Sequence, residues 1–156
     1  MKIVYISGAI VGSANQGNVK ELIKKNTELA KEYANALASK KIGVFCPHSY
    51  DLNPDLKDLT ERQRYFYDLD TEFLINSHAI AFLPNWKDSF GARQEEKIAD
   101  ELGLPKFYPK SPDDTAEIEK WYFNRNNTDE EKKAVDWDKI IEIRRAMAKY
   151  VFAKAA

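Results

Sequence analysis

The stretch AIAFLPNWKDSFGARQEEKIADELG, Ala79 to Gly103, decides how this chain folds. Ala79 to Leu83 is an unbroken apolar run stopped by Pro84, the composition of a strand buried on both faces. Gly91 to Gly103 then spaces its apolar residues as one face of a short helix and closes on glycine. Lys106 to Tyr108, between two prolines, predicts a further strand. Strand, crossover helix and strand make a βαβ unit, which implies parallel pairing.

Working outwards, Lys2 to Ile6 is a first short apolar strand that runs into a Gly-, Ser- and Asn-rich loop, Ser7 to Asn18. From Val19 to Ser39 the spacing of Leu22, Ile23, Leu29, Tyr33, Ala36 and Leu37 predicts a long amphipathic helix. Ile42 to Cys46 is a second strand, and Pro47 to Leu59, with two prolines and turn-forming aspartates, reads as a loop long enough to suspect function. Thr60 followed by Gln63 resembles a capping box for a helix running to about Asn76. The order β-α-β-α-β-α-β gives an α/β fold: a parallel sheet of four to five strands between helical layers. Residues 1–109 account for it. Residues 110–156 predict a helical extension, Ala116 to Phe123, a polar turn Asn124 to Asp129 and a helix from about Glu130 to Ala153, packed on the same domain or on a partner subunit.

Composition narrows the function. The 156 residues are 44% hydrophobic and 31% charged, with 24 basic and 25 acidic side chains. That balance argues against an extended basic surface for polymeric nucleic acid and for a small-molecule partner. No apolar run approaches the roughly 20 residues that cross a bilayer, and Met1 to Ile10 reads straight into a strand rather than a leader, so no membrane partner is expected. A single cysteine, Cys46, and two distant histidines, His48 and His78, predict neither a disulfide nor a zinc site, and the expected compartment is the cytoplasm.

Ligands of such sheets bind beyond the carboxyl ends of the strands. Two carboxylates near that edge sit on apolar faces. Glu95 shares its helical face with Gly91, Ala92, Ile98, Ala99 and Leu102, whereas its neighbour Glu96 faces Arg93 and Asp100. Being near the helix start, Glu95 is expected to have its ionised form favoured by the helix dipole. Asp70 is flanked by Phe66, Tyr67, Phe73 and Leu74, so it is expected to be buried against the sheet or exposed in a cleft, with a pair to Arg64 or a backbone cap as the purely structural alternative. Paired carboxylates from different elements suit cleavage of a glycosidic bond, one attacking or stabilising the anomeric carbon and the other managing the leaving-group proton. There is no Gly-x-Ser-x-Gly elbow and no Walker loop. His48 occupies a site-like position after Pro47 that also suits a turn. The opening loop, with Ser7, Gly8 and Ile10, and the Asp88-Ser89-Phe90-Gly91 helix start are candidate substrate-binding elements.

Tyr5-Ile6-Ser7-Gly8-Ala9-Ile10, then Asp70 and Leu74, then Ala81 to Ala92 followed by Glu95 and Ala99, resemble the nucleoside 2-deoxyribosyltransferase superfamily over about Met1 to Tyr108. The resemblance implies a flavodoxin-like three-layer fold, no metal or other cofactor, and a glutamate nucleophile that attacks C1′. Glu95 falls on that nucleophile, Tyr5 on the tyrosine that orients it, and Asp70 on the aspartate that contacts the sugar or assists base departure. Ser89 and Gly91 match positions holding the 5′ group in monophosphate hydrolases, and Asp88 lies near an aspartate of the transferases. Val11 stands where phosphate-binding relatives carry arginine, and His78 replaces an aspartate. A homodimer or higher homo-oligomer is implied, with Asn124, Arg125 and Asn126 as candidates for reaching a neighbour's site. The expected activity is transfer or hydrolysis at the N-glycosidic bond of a nucleoside or nucleotide. The rival is a non-catalytic sensor of a nucleotide-derived ligand.

Overall fold

The computed structural model describes residues 1–10, 19–50, 55, 56, 58–124 and 135–155. Strands β1 (Ile3–Ser7), β2 (Gly43–Phe45), β3 (Ala79–Phe82) and β4 (Lys106–Phe107) form one sheet in the order β2-β1-β3-β4, with every neighbouring pair parallel. Helices α1 (Val19–Ser39), α2 (Leu59–Ile75) and α3 (Phe90–Leu102) make the crossovers, and α4 (Ala116–Phe123) and α5 (Trp137–Ala155) follow β4. The fold is the expected three-layer α/β sandwich with an added C-terminal helix. Among the described residues no helix is long and apolar enough to cross a membrane.

The strand order dictates which face each helix covers. β2 and β3 lie on opposite sides of β1, so right-handed crossovers put α1 on one face and α2 and α3 on the other. Side chains alternate accordingly. Val4, Ile6, Ala79 and Ala81 pack with Ala30, Tyr33 and Leu37 of α1 and Ile118 of α4. Tyr5, Ile80 and Phe82 pack with Leu74 of α2, Ile98, Ala99 and Leu102 of α3, and Ile140 of α5. Ser7, two residues beyond Tyr5, shares its face. The direction of winding switches between β1 and β3, and the crevice at their carboxyl ends is where such sheets take ligands.

Several local expectations shift. The buried stripe of α1 is Asn26, Ala30, Tyr33 and Leu37, whereas Ile23 is exposed. Helix α2 is capped by Asp58, whose carboxylate accepts the Glu61 N–H at 2.8 Å, rather than by Thr60; an aspartate two residues earlier supplies the acceptor. The start of the predicted loop after β2 is a 3-10 turn, Pro47–Ser49, and β4 stops one residue short, at Phe107. Ser89 caps α3 by accepting the Ala92 N–H, and Gly103 closes it with φ 65°, the left-handed conformation that glycine adopts without strain. The predicted polar turn lies, apart from Asn124, outside the described residues, and α5 is described from Trp137.

Helix α5 runs antiparallel to α3. Lys139 near its start lies 3.5 Å from Glu101 at the end of α3, and Tyr150 stacks on Phe90 at the beginning of α3, ring centroids 3.9 Å apart. The last turns of the chain therefore reach the carboxyl edge of the sheet.

Candidate active site

Glu95 is buried on the second turn of α3, beneath the β1 and β3 carboxyl ends. The Tyr5 hydroxyl donates to its Oε1 at 2.7 Å and the Ser7 hydroxyl donates to its Oε2. Strand alternation explains this: residues two apart on β1 point to one face, so both hydroxyls meet the one carboxylate that α3 turns inwards. Burial raises the pKa of Glu95, and the hydrogen bonds from Ser7 and Tyr5 oppose the shift. In place of an ionised form favoured by the helix terminus, the net shift runs towards the acid, with burial its first cause. Tyr5 is pushed well above its usual value by burial and then by the Glu95 and Asp70 charges, which keeps it a neutral donor.

Asp70 is buried on α2, and its Oδ1 has no hydrogen-bond partner. Neither Arg64 nor a backbone cap satisfies it; Arg64 is exposed on the side of α2 that meets α5. Burial first, then the neighbouring Glu95 charge, raises the Asp70 carboxyl to about 8. The two carboxyls form one coupled pair. Glu95 is supplied with two donors and Asp70 Oδ1 with none, so the first negative charge settles on Glu95 and Asp70 keeps the proton.

The other sequence candidates divide. Gly8 is packed tightly: a Cβ there would lie 2.7 Å from Leu83 Cδ1 and 3.1 Å from Asn85 Oδ1. Gly91 leaves room for the Tyr67 ring, whose Cε1 would sit 3.1 Å from an added Cβ. The Ser89 oxygen is used as the α3 cap, while its hydroxyl proton stays available. Asp88 is exposed in the 3-10 turn Trp86–Asp88 before α3. Ile10 is 41% exposed, and its carbonyl accepts from Asn26. His78 is a structural acceptor, its Nδ1 taking the Ile3 N–H at 3.1 Å. Asn124 ends α4, whose Tyr122 hydroxyl accepts the Gly43 N–H at the start of β2. That is the opposite edge of the sheet, so the chain does not bring Asn124 to its own Glu95. Arg125, Asn126 and Val11 lie outside the described residues.

Periodicity passed over several residues here. Asn85 accepts the Ala9 N–H at 3.2 Å and donates at 3.1 Å to Asn26, which donates at 3.0 Å to the Ile10 carbonyl, so two amides fix the loop leaving β1. An asparagine in register with Ala30, Tyr33 and Leu37 was the signal available for Asn26. His48 is buried against the Gly8 and Ala9 backbone without a full hydrogen bond to either ring nitrogen, and burial lowers its pKa to about 4. Tyr67 is pushed up to about 12, mainly by burial, with the Tyr150, Glu95 and Asp70 charges adding to it. Among the described residues no group of three or more His, Cys, Asp or Glu side chains is placed to hold a metal ion.

Compared with known families, residues 2–108 match a domain of unknown function, DUF4406. The chain belongs to the DUF4406 family. The match spans β1 to β4, and with them Tyr5, Ser7, Asp70 and Glu95, so the whole carboxyl pair falls within the DUF4406 unit while α4 and α5 follow it. No curated protein matches the chain.

Proposed function

We propose that this DUF4406 protein cleaves or transfers the N-glycosidic bond of a nucleoside or nucleoside 5′-monophosphate through a covalent glycosyl-Glu95 intermediate. The observation that carries the reading is Glu95, buried and held by two hydroxyl donors, beside Asp70, whose carboxyl is raised to about 8 and whose Oδ1 has no hydrogen-bond partner. A Glu95 oxygen attacks C1′ as the bond from C1′ to the base nitrogen breaks, its electron pair staying with the base. Asp70 gives the base its proton. Water or a second base then attacks C1′, Asp70 takes back a proton, and Glu95 leaves as carboxylate, so configuration is retained. Tyr5 and Ser7 hold the nucleophile in line, and Ser89 with Gly91 offers a hydroxyl and a helix start to the 5′ group. The resemblance of Tyr5 to Ile10, Asp70 and Glu95 to the nucleoside 2-deoxyribosyltransferases supports the same chemistry. It also supports a cytoplasmic homo-oligomer in which the segment around Asn124 of one copy reaches another.

The test is base release. Deoxynucleosides, ribonucleosides and their monophosphates, with and without free adenine or cytosine, are incubated with the protein and followed by chromatography. Release is expected from at least one, with loss of 10³-fold or more in Glu95→Ala, a magnitude typical for removal of a covalent nucleophile, and a sugar adduct on Glu95 by mass spectrometry. Wild-type turnover by Glu95→Ala would overturn the reading, and tight binding without turnover would return the sensor.

A further inference from the structure

Four buried polar side-chain atoms among the described residues have no hydrogen-bond partner: Nδ1 and Nε2 of His48, Oη of Tyr50 and Oδ1 of Asp70. All lie on the chain between β2 and the middle of α2. Buried polar atoms are ordinarily satisfied, and several orphans at one sheet edge mark a place that a ligand completes. Asp70 already has a part in the reaction. Tyr50 does not.

The Tyr50 ring is wedged among aromatic neighbours, with centroids 5.5 Å from Phe45, 6.1 Å from Phe73 and 6.3 Å from Phe66. Phe45 in turn stacks on Tyr5 at 5.8 Å, so Tyr50 stands one ring away from the residue that holds Glu95. The nucleophile is enclosed by Tyr5 and Ser7 on β1. In a retaining displacement the leaving group departs on the opposite side of C1′, towards the acid that protonates it. Tyr50 lies on the face of α2 that carries that acid: its ring packs on Phe66 and Phe73, which flank Asp70 at i−4 and i+3, and the Asp70 charge adds to burial in raising its pKa. We propose that Tyr50 is a specificity-determining residue of this same site, its buried hydroxyl reading the hydrogen-bonding edge of the heterocyclic base that Asp70 protonates. The inference rests on the glycosidase reading above. A phenol donates to a keto oxygen more strongly than it accepts from an amino group, and a leaving group without polar edges would leave this hydroxyl orphaned. Sites built to hydrogen-bond one edge discriminate far more strongly than apolar pockets do.

Tyr50→Phe keeps the ring packing and removes only the hydroxyl. Base release from deoxyadenosine, deoxyinosine, deoxycytidine and deoxyuridine is measured for wild type and Tyr50→Phe across pH, with thermal melts as a folding control. The expected result is a change of about tenfold or more in the ratio of kcat/KM between the amino and keto members, with the alkaline limb of the pH profile unmoved. A uniform loss across all four, no change, or a shifted alkaline limb at constant ratio overturns the inference while leaving the glycosidase reading standing. If the wild type releases no base from any substrate of either panel, the glycosidase reading falls. Calorimetry with free adenine, hypoxanthine, cytosine and uracil then decides Tyr50, and equal affinities in both proteins overturn it.

Discussion

Asp70 carries its proton into the neutral range because its carboxyl is stripped of water beside another carboxyl. An acid raised from 3.8 to about 8 binds more protons in the native than in the unfolded state across that window. Stability from this group is therefore fully present below about pH 4 and is lost as pH rises towards 8. Thermal melts between pH 4 and 9 should show Asp70→Asn gaining on the wild type as pH increases, the two converging at the acid end; parallel curves would refute the shift. In the proposed reaction the same proton goes to the departing base, so base release should fade as pH climbs through about 8. Sequence periodicity singled out Asp70 and Glu95 because both interrupt apolar stripes. It could not say which would be solvated by donors and which left bare, since Tyr5 and Ser7 meet Glu95 across about ninety residues of chain.

Between elements, the connection that matters most joins α1 to the loops after β1 and β3. Asn26 and Asn85 spend their amide groups on each other and on the backbone at Ala9 and Ile10. Asn26→Ala leaves the Asn85 amide and the Ile10 carbonyl without their partner, a loss expected to cost about 1 to 3 kcal/mol. Chemical denaturation measures it, and amide exchange at Ala9 should speed up as the loop loosens; unchanged exchange would show the clamp to be dispensable. This clamp was only half visible beforehand, because a polar residue on an apolar stripe announces a buried hydrogen bond without naming its acceptor. The α2 cap shows the same limit: Asp58 and Thr60 are both competent capping residues, and the way the chain enters the helix selects Asp58.

For the molecule as a whole, α5 turns a sheet with two helical layers into one whose α2–α3 face carries another helix. Ile140, Met147 and Val151 are buried there, while Arg144 makes half-exposed ion pairs with Asp68 and Glu72. Packing should dominate over charge. Met147→Ala is expected to cost about 2 to 5 kcal/mol and Arg144→Ala under about 1 kcal/mol, as cavities in a core outweigh solvated ion pairs. Denaturant titration of both variants checks the order, and equal losses would mean that the ion pairs hold the helix. Because Tyr150 stacks on Phe90, loosening α5 should also be felt at the first turn of α3, one turn from Glu95.

The sequence by itself determined the order of strands and helices, the parallel sheet and the two carboxylates on apolar faces, because those follow from periodicity, prolines and glycines within short windows. Tertiary structure alone decided that Ser7 joins Tyr5 on one carboxylate, that Asp70 Oδ1 is left without a hydrogen bond, that Tyr50 buries its hydroxyl near it, and that α5 returns to the edge of the candidate site. Those are relations between residues far apart in the chain, and their energies depend on burial and distance, which no local pattern encodes.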